Sequence, residues 1–289
     1  MLFKGIIELR GGLIVGTSIE RDRLNAAVAR LFGLRENLEQ HGVKLDELED
    51  LHIFGYGSLP DKPHWQPTSM TPAFLTGFRR SFCCKCISRG TDDFTGLTLG
   101  LEKLEDGVVP GAVLSYRNIP LGDLADMMHV FADREVPRLK IYHFGLCDTE
   151  LADGRIVKAL ACFADTGSEN YLHGMSVTEK SQIIAMASGE KGTCKTYLDH
   201  YVRLRVQNAR FDDHPPERQI ALMRDKDYFM RLMQAVDLRR AEMRLTMPEY
   251  VAQLEELEAQ QLHLWQVSKG KADNVFENDN PAAKHADRA

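Results

Sequence analysis

No apolar run in these 289 residues approaches the roughly 20 that a membrane-spanning helix needs. Positive charge is in deficit as well. The chain has 36 Lys and Arg against 42 Asp and Glu, a formal net charge of −6, and Arg79-Arg80 and Arg239-Arg240 are too short to make polybasic tracts. That excludes the basic face expected of a nucleic-acid binder. Lys4, Glu8 and Arg10 interrupt the first apolar residues, so no clean signal-peptide core is present and a cytoplasmic location is expected. Cysteine is sparse and irregular. Cys83, Cys84 and Cys86 crowd together, Cys147, Cys162 and Cys194 are scattered, and the paired C-x-x-C knuckles of zinc modules are missing, so neither a zinc module nor a disulfide framework is expected. Strand alternation would place Cys83 on the face opposite Cys84 and Cys86, which leaves ordinary buried thiols as the reading. His129, His143, His173 and His200 stand in no H-x-H or H-E-x-x-H spacing. The oligomeric state leaves no trace in the sequence.

What is present is an ordinary globular composition, 44% hydrophobic and 27% charged, enough for one large domain with appendages or two modest ones. Residues 1–50 read as an N-terminal extension with one helix over 19–32, capped by Thr17 with Glu20. Gly11 to Gly16 lacks the G-x-G-x-x-G pattern of a nucleotide site. From Leu51 to about Asp165 the chain reads as strands, at Ala73–Cys84, Gly96–Leu101, Val109–Tyr116, Leu139–Phe144 and Ile156–Phe163, broken by a helix over Leu121–Ala132. Asp153-Gly154 is a hairpin signal. Helices are expected over Ser176–Ala187, opened by a capping box of Ser176 and Glu179, then Cys194–Asn208 and Arg218–Arg244. A last helix, restarted by Thr246-Met247-Pro248-Glu249, runs to about Trp265, and a polar, disordered tail is expected from 268 to 289. The units implied are 1–50, a catalytic domain over 51–208, a helical C-terminal region over 209–267, and the tail.

The most informative stretch is Phe54-Gly55-Tyr56-Gly57-Ser58-Leu59, directly after the apolar run Leu51 to Phe54. Alternating glycines let the backbone turn tightly and approach a ligand closely. Successive N–H groups in such a turn converge on an anionic oxygen, a phosphate or a developing oxyanion. Alone, it is equally well an ordinary strand-to-loop turn. It is followed in order by Gly77 to Cys83, Ser88-Arg89-Gly90-Thr91, Thr95 to Leu101, Gly111 to Tyr116, Asp133-Arg134-Glu135-Val136 and Lys191 to Leu198.

This order and spacing, over roughly Leu51 to Arg205, resembles the ChaC-type γ-glutamylcyclotransferases. The resemblance implies an α+β fold built on a mixed, closed or nearly closed β-sheet with flanking helices. It implies an enzyme without metal or organic cofactor that releases 5-oxoproline from a small-molecule γ-glutamyl peptide. In the ChaC group that peptide is glutathione, and Cys-Gly is the other product. It matches Tyr56, Gly57, Ser58 and Leu59 to the substrate-binding loop, Glu135 to the catalytic acid/base and Tyr197 to a substrate-contacting tyrosine.

The chemistry suits those residue types. The substrate's α-amine attacks its own γ-carbonyl, so alignment contributes much of the acceleration, at the extreme about 7–11 kcal/mol. One carboxylate can take the amine's proton and return it to the departing nitrogen, typically worth ~10²–10⁴-fold. An exposed Glu titrates near about 4.3, so an effective Glu135 requires surroundings that raise its pKa. N–H groups around Gly57 and Ser58 would receive the oxyanion. Arg79 and Arg80 alternate, so only one can face a pocket, where it could hold a carboxylate; a surface ion pair is the other reading.

Departures from the ChaC pattern occur at Pro60-Asp61-Lys62-Pro63-His64, which precedes Trp65, and at Lys85-Cys86-Ile87-Ser88, which stands where the family has tryptophan-serine and histidine. They leave open a cyclotransferase for another γ-glutamyl amine or dipeptide, and a non-catalytic binding or assembly protein on the same fold. A phosphate-ligand enzyme is a weaker reading, because the glycine loop lacks the Lys of a P-loop.

Overall fold

A computed structural model describes residues 51–61, 63, 65–117, 119–135, 139–206 and 214–278, with 22–23 and 26–27 ahead of them. For Leu121, Glu135 and residues 264–278 it describes the backbone alone. Most of the expected helix over 19–32, the Thr17 cap, the Gly11–Gly16 stretch, Lys62, His64, Val136, Asn208 and residues 279–289 lie outside the described residues.

Five strands close into a barrel in the order β1-β3-β2-β4-β5. β1 is Leu51–Gly55, β2 Ser69–Cys86, β3 Gly96–Tyr116, β4 Tyr142–Leu151 and β5 Ile156–Ala164. All neighbours are antiparallel except β1 and β5, which close the barrel in parallel at Ile53 and Leu160. The sheet is therefore mixed and closed, and the class is α+β. Phe54, Phe82, Leu97, Leu99, Leu101, Leu114 and Leu160 fill it, because alternate residues of each strand point inward. The β4–β5 hairpin turns at Gly154 with φ +83°, a conformation that favours glycine.

Two expectations for the paired strands β2 and β3 change. Gly96–Leu101 and Val109–Tyr116 are one continuous strand, since β3 pairs along the whole of β2 and residues 104–107 bulge opposite Gly77. The charges at Lys103, Glu105 and Asp106 mark its solvent face rather than a loop. A second bulge between Phe82 and Cys84 breaks the alternation. Cys83 and Cys84 are thus buried together with sulfurs 3.8 Å apart, not on opposite faces. All six cysteines are free.

Helices flank the barrel. α1 (Leu121–Glu135) buries Met127, Met128 and Phe131. α2 (Val177–Met186) opens on the full Ser176–Glu179 capping box. A two-residue pair, β6 (Ser188–Gly189) and β7 (Gly192–Thr193), leads into α3 (Cys194–Tyr201), which widens into a π turn over Val202–Val206. α4 (Pro216–Thr246) buries Phe229, Leu232 and Val236. α5 (Pro248–Asn278) is tied to it by Arg240–Glu258 at 2.7 Å and by Arg244 to Glu255. Thr246 is the last residue of α4 and Met247 alone separates the helices, so Thr246 is not the cap that the sequence suggests. α5 extends through Asn278, overlapping the start of the expected tail.

Candidate active site

β1 ends in the glycine loop, and its shape follows from Gly55. A Cβ there would stand 2.7 Å from the Pro60 ring, so the ring's return onto the strand end requires glycine. The Tyr56 side chain is buried, and its carbonyl accepts a hydrogen bond from the Tyr201 hydroxyl at 3.2 Å. A Cβ on Gly57 would lie 3.8 Å from the Tyr197 hydroxyl and 3.9 Å from Leu99. The hydroxyl of Tyr197 therefore stands over the loop. Ser58 accepts a hydrogen bond from Arg134 Nη2 at 3.1 Å, which ties the C-terminal end of α1 to the loop.

Tyr56, Gly57, Ser58, Leu59 and Tyr197 all line one cleft of about 1460 Å³. The backbone places Glu135 immediately after Arg134 as the last residue of α1, and its side chain lies outside the described residues. Tyr197 is held from both sides. Phe82 packs against it edge-on at 5.6 Å, and the Arg89 guanidinium lies 5.1 Å from its ring centre while also donating to the Lys191 carbonyl. α3 presents this tyrosine because Thr193 caps the helix, accepting from the Thr196 N–H at 3.0 Å.

Tyr142 is a further member that sequence reasoning passes over, since it reads as one more strand aromatic. Its hydroxyl donates to the Leu99 carbonyl. Burial, then neighbouring Tyr56, Cys84 and Tyr197, keeps it protonated far above the ordinary tyrosine range. Arg79 and Arg80 turn away from the cleft. Arg79 pairs with Glu102 at 3.0 Å, and Arg80 is buried against Asp225 of α4. Among the described residues no group of three or more His, Cys, Asp or Glu is arranged to hold a metal ion. No described helix is long and apolar enough to cross a membrane.

The cleft can hold an anion. Lys85, Arg89, Arg134, Lys191 and Arg203 line it, against Asp61, Asp133, Glu190, Asp199 and Glu258. Three of those acids are matched by cations outside the lining: Asp61 by Arg205, Asp199 by Lys195 and Glu258 by Arg240. Basic side chains are thus as many as acidic ones along the described lining, in a chain that is acidic as a whole, and three of the acids also turn to cations outside it.

A model of the ChaC-like protein family matches residues 51–243. The chain belongs to the ChaC-like family. It is 31% identical to the glutathione-specific γ-glutamylcyclotransferase of Escherichia coli (strain K12) over 166 residues, 56% of this chain and 69% of that protein. It is 26% identical to γ-glutamylcyclotransferase 2-3 of Arabidopsis thaliana over 167 residues, 56% of this chain and 83% of that protein. Among solved structures, the fold is similar to a glutathione-specific γ-glutamyl cyclotransferase from yeast, with TM-score 0.54 and 17% identity over 66% of this chain and 97% of that one. α5 lies beyond the ChaC-like stretch, yet Glu258, Ala259, Gln261 and Leu262 wall the cleft. Gln261 donates to the Lys191 carbonyl at 2.9 Å and Glu258 accepts from Thr193 at 3.0 Å, so α5 braces the turn that opens α3. Glu258 and Gln261 lie seven residues beyond Val251 and Leu254 on the same side of α5, so the signal in the sequence is the replacement of apolar by polar residues along that stripe.

Proposed function

We propose that this ChaC-like enzyme is a γ-glutamylcyclotransferase acting on glutathione, releasing 5-oxoproline and Cys-Gly. The observation that carries the reading is the convergence of three separated segments, Tyr56–Leu59, the end of α1 at Arg134 and Tyr197 of α3, on one cleft with basic side chains in its lining. Glutathione at neutral pH has two carboxylates and one ammonium, a net anion suited to that cleft. The names of the Escherichia coli and yeast relatives support the choice of substrate.

In this reading the γ-glutamyl group sits over Gly57 with its γ-carbonyl oxygen toward the loop N–H groups and the Tyr197 hydroxyl. Glu135 accepts a proton from the α-ammonium. The freed amine nitrogen bonds to the γ-carbon and a tetrahedral oxyanion forms. Glu135 returns the first proton to the cysteine nitrogen and takes a second from the ring nitrogen as the bond to the cysteine nitrogen breaks. It passes that second proton to the departing Cys-Gly amine, which leaves as its ammonium. The ring of 5-oxoproline has closed. The backbone position of Glu135, the last residue of α1 and next to the Arg134 that reaches Ser58, supports the role.

The test is 5-oxoproline release from glutathione by the purified protein without added metal. Glu135→Gln lowers kcat at least 10²-fold, in line with loss of a general acid/base worth roughly 10²–10⁴, and leaves glutathione binding by calorimetry within about threefold. Full activity in that variant would remove Glu135 from the mechanism. Turnover of another γ-glutamyl amine or dipeptide, with none of glutathione, would correct the substrate alone.

A further inference from the structure

Where the chain departs from the ChaC-type pattern it places a lysine. Lys85 is half-buried near the end of β2, lines the cleft, and pairs in register with Leu97 of β3. No hydrogen bond or ion pair joins its ammonium to another group among the described residues. The other cations of the cleft differ in this respect or in place. Arg89 is committed to the Lys191 carbonyl and the Tyr197 ring, and Arg134 reaches Ser58. Lys191 lies on the exposed turn between β6 and β7.

We infer that Lys85 binds the terminal carboxylate of the departing dipeptide and so selects γ-glutamyl substrates that end in a free acid two residues beyond the scissile bond. This rests on the reading of the cleft as a γ-glutamyl site. The strand geometry supplies the distance. Leu99 touches the place above Gly57 where the γ-glutamyl group would sit. Leu97 is two residues back along β3 on the same face, roughly 7 Å away by the rise of a strand. Lys85 stands directly across from Leu97, with its side chain on that face. Cysteine and glycine in extended form span at most about 7 Å. Leu97 itself is buried beneath Cys194, so a dipeptide leaving the loop keeps to the cleft that Leu99, Thr98 and Lys85 line together and brings its carboxylate to the lysine, whose four-carbon stem can lie against the apolar wall while the ammonium meets the acid.

The experiment compares kcat/KM for glutathione with that for its glycyl monoethyl ester, which keeps every atom of the reacting centre and loses the terminal charge. Wild-type protein is expected to prefer the acid by roughly 10- to 100-fold, the value of one charge-assisted hydrogen bond. Lys85→Met should bring that ratio to within about threefold of one, while Lys85→Arg, which keeps the charge, retains most of it. Lys191→Met should leave the ratio near the wild-type value. A preference surviving in Lys85→Met, or one lost in Lys191→Met instead, would overturn the assignment while the cyclotransferase reading stands. Absence of 5-oxoproline from both compounds with wild-type protein would overturn the reading itself and the lysine's role with it. If Lys85→Met does not fold, Lys85→Gln reads the same ratio.

Discussion

Asp225→Ala tests whether the glycine loop is supported from behind by a buried charge. Arg80 is 3% exposed and donates through Nε to Asp225 Oδ1 at 3.2 Å, through Nη2 to Oδ2, and through Nη1 to the Pro110 carbonyl at 3.3 Å. Its guanidinium also lies 5.3 Å from the Tyr201 ring and 5.4 Å from the Phe229 ring. Tyr201 in turn holds the Tyr56 carbonyl. Removing the carboxylate leaves a buried cation with one carbonyl and two ring faces. Breaking a buried pair from one side costs about 3–5 kcal/mol, whereas an exposed pair contributes about 0–1. At about 2–4 °C per kcal/mol for a chain of this size, the melting temperature should fall by roughly 6–20 °C. Thermal unfolding followed by circular dichroism reads the loss, and kcat/KM for glutathione should fall with it as Tyr201 loses its packing. The double variant Arg80→Met/Asp225→Leu removes both charges and should recover at least half of the lost stability. A single-variant loss under about 1 kcal/mol, or a double variant no better than the single, would refute the argument from an unpaired charge.

Tyr197→Phe deletes a hydroxyl beside Gly57 and keeps the ring that packs on Phe82 and Arg89. It should lower kcat on glutathione by about 10²–10³-fold, as removal of one oxyanion donor does, with the melting temperature unchanged; a rate within threefold of wild type would take Tyr197 out of the oxyanion site. Gly96→Ala would put a Cβ 2.3 Å from the Arg89 carbonyl, a backbone atom that cannot swing aside. It should cost at least about 1–3 kcal/mol of stability by urea unfolding and weaken the Arg89 brace on Tyr197, so an unperturbed midpoint would contradict the close approach. Alkaline pH should unfold the protein. Burial pushes Tyr116 up to about 12 from an ordinary 10.0, and Cys194 up to about 12 from 9.0. Both acids hold their protons longer in the folded state, so their contribution is complete below about pH 9 and lost as pH rises toward 12, each group at ~1.4 kcal/mol per pH unit. A urea midpoint that stays flat from pH 9 to 11 would show those groups free to ionise in place.

Much of the fold was legible because local signals agree with it. The Ser176–Glu179 box, the Asp153-Gly154 turn and the helix from Leu121 depend on residues within one or two turns of each other. Periodicity misread β3 as two strands, since its charged middle is a solvent face that only pairing with β2 defines. It also separated Cys83 from Cys84, because a bulge is set by the partner strand and leaves no mark in composition. Tyr56–Leu59 and Tyr197 could be named in advance as motif members, but nothing local states that Tyr197 stands over Gly57. That proximity joins residues 140 positions apart.

The sequence alone, through its resemblance to the ChaC-type enzymes, singled out the glycine loop, the end of α1 and the start of α3 as a candidate site, because each is a short motif whose residues are neighbours along the chain. Tertiary structure decided which cations face the cleft. Arg80 turned inward to Asp225, since a buried guanidinium needs a carboxylate and α4 supplies one. Barrel closure brought Lys85, Arg89 and Arg134 to a common space. It also let α5, beyond the ChaC-like stretch, become a wall of that space through Glu258 and Gln261. Those contacts join groups distant along the chain, and their energies depend on which solvent is excluded when the elements pack.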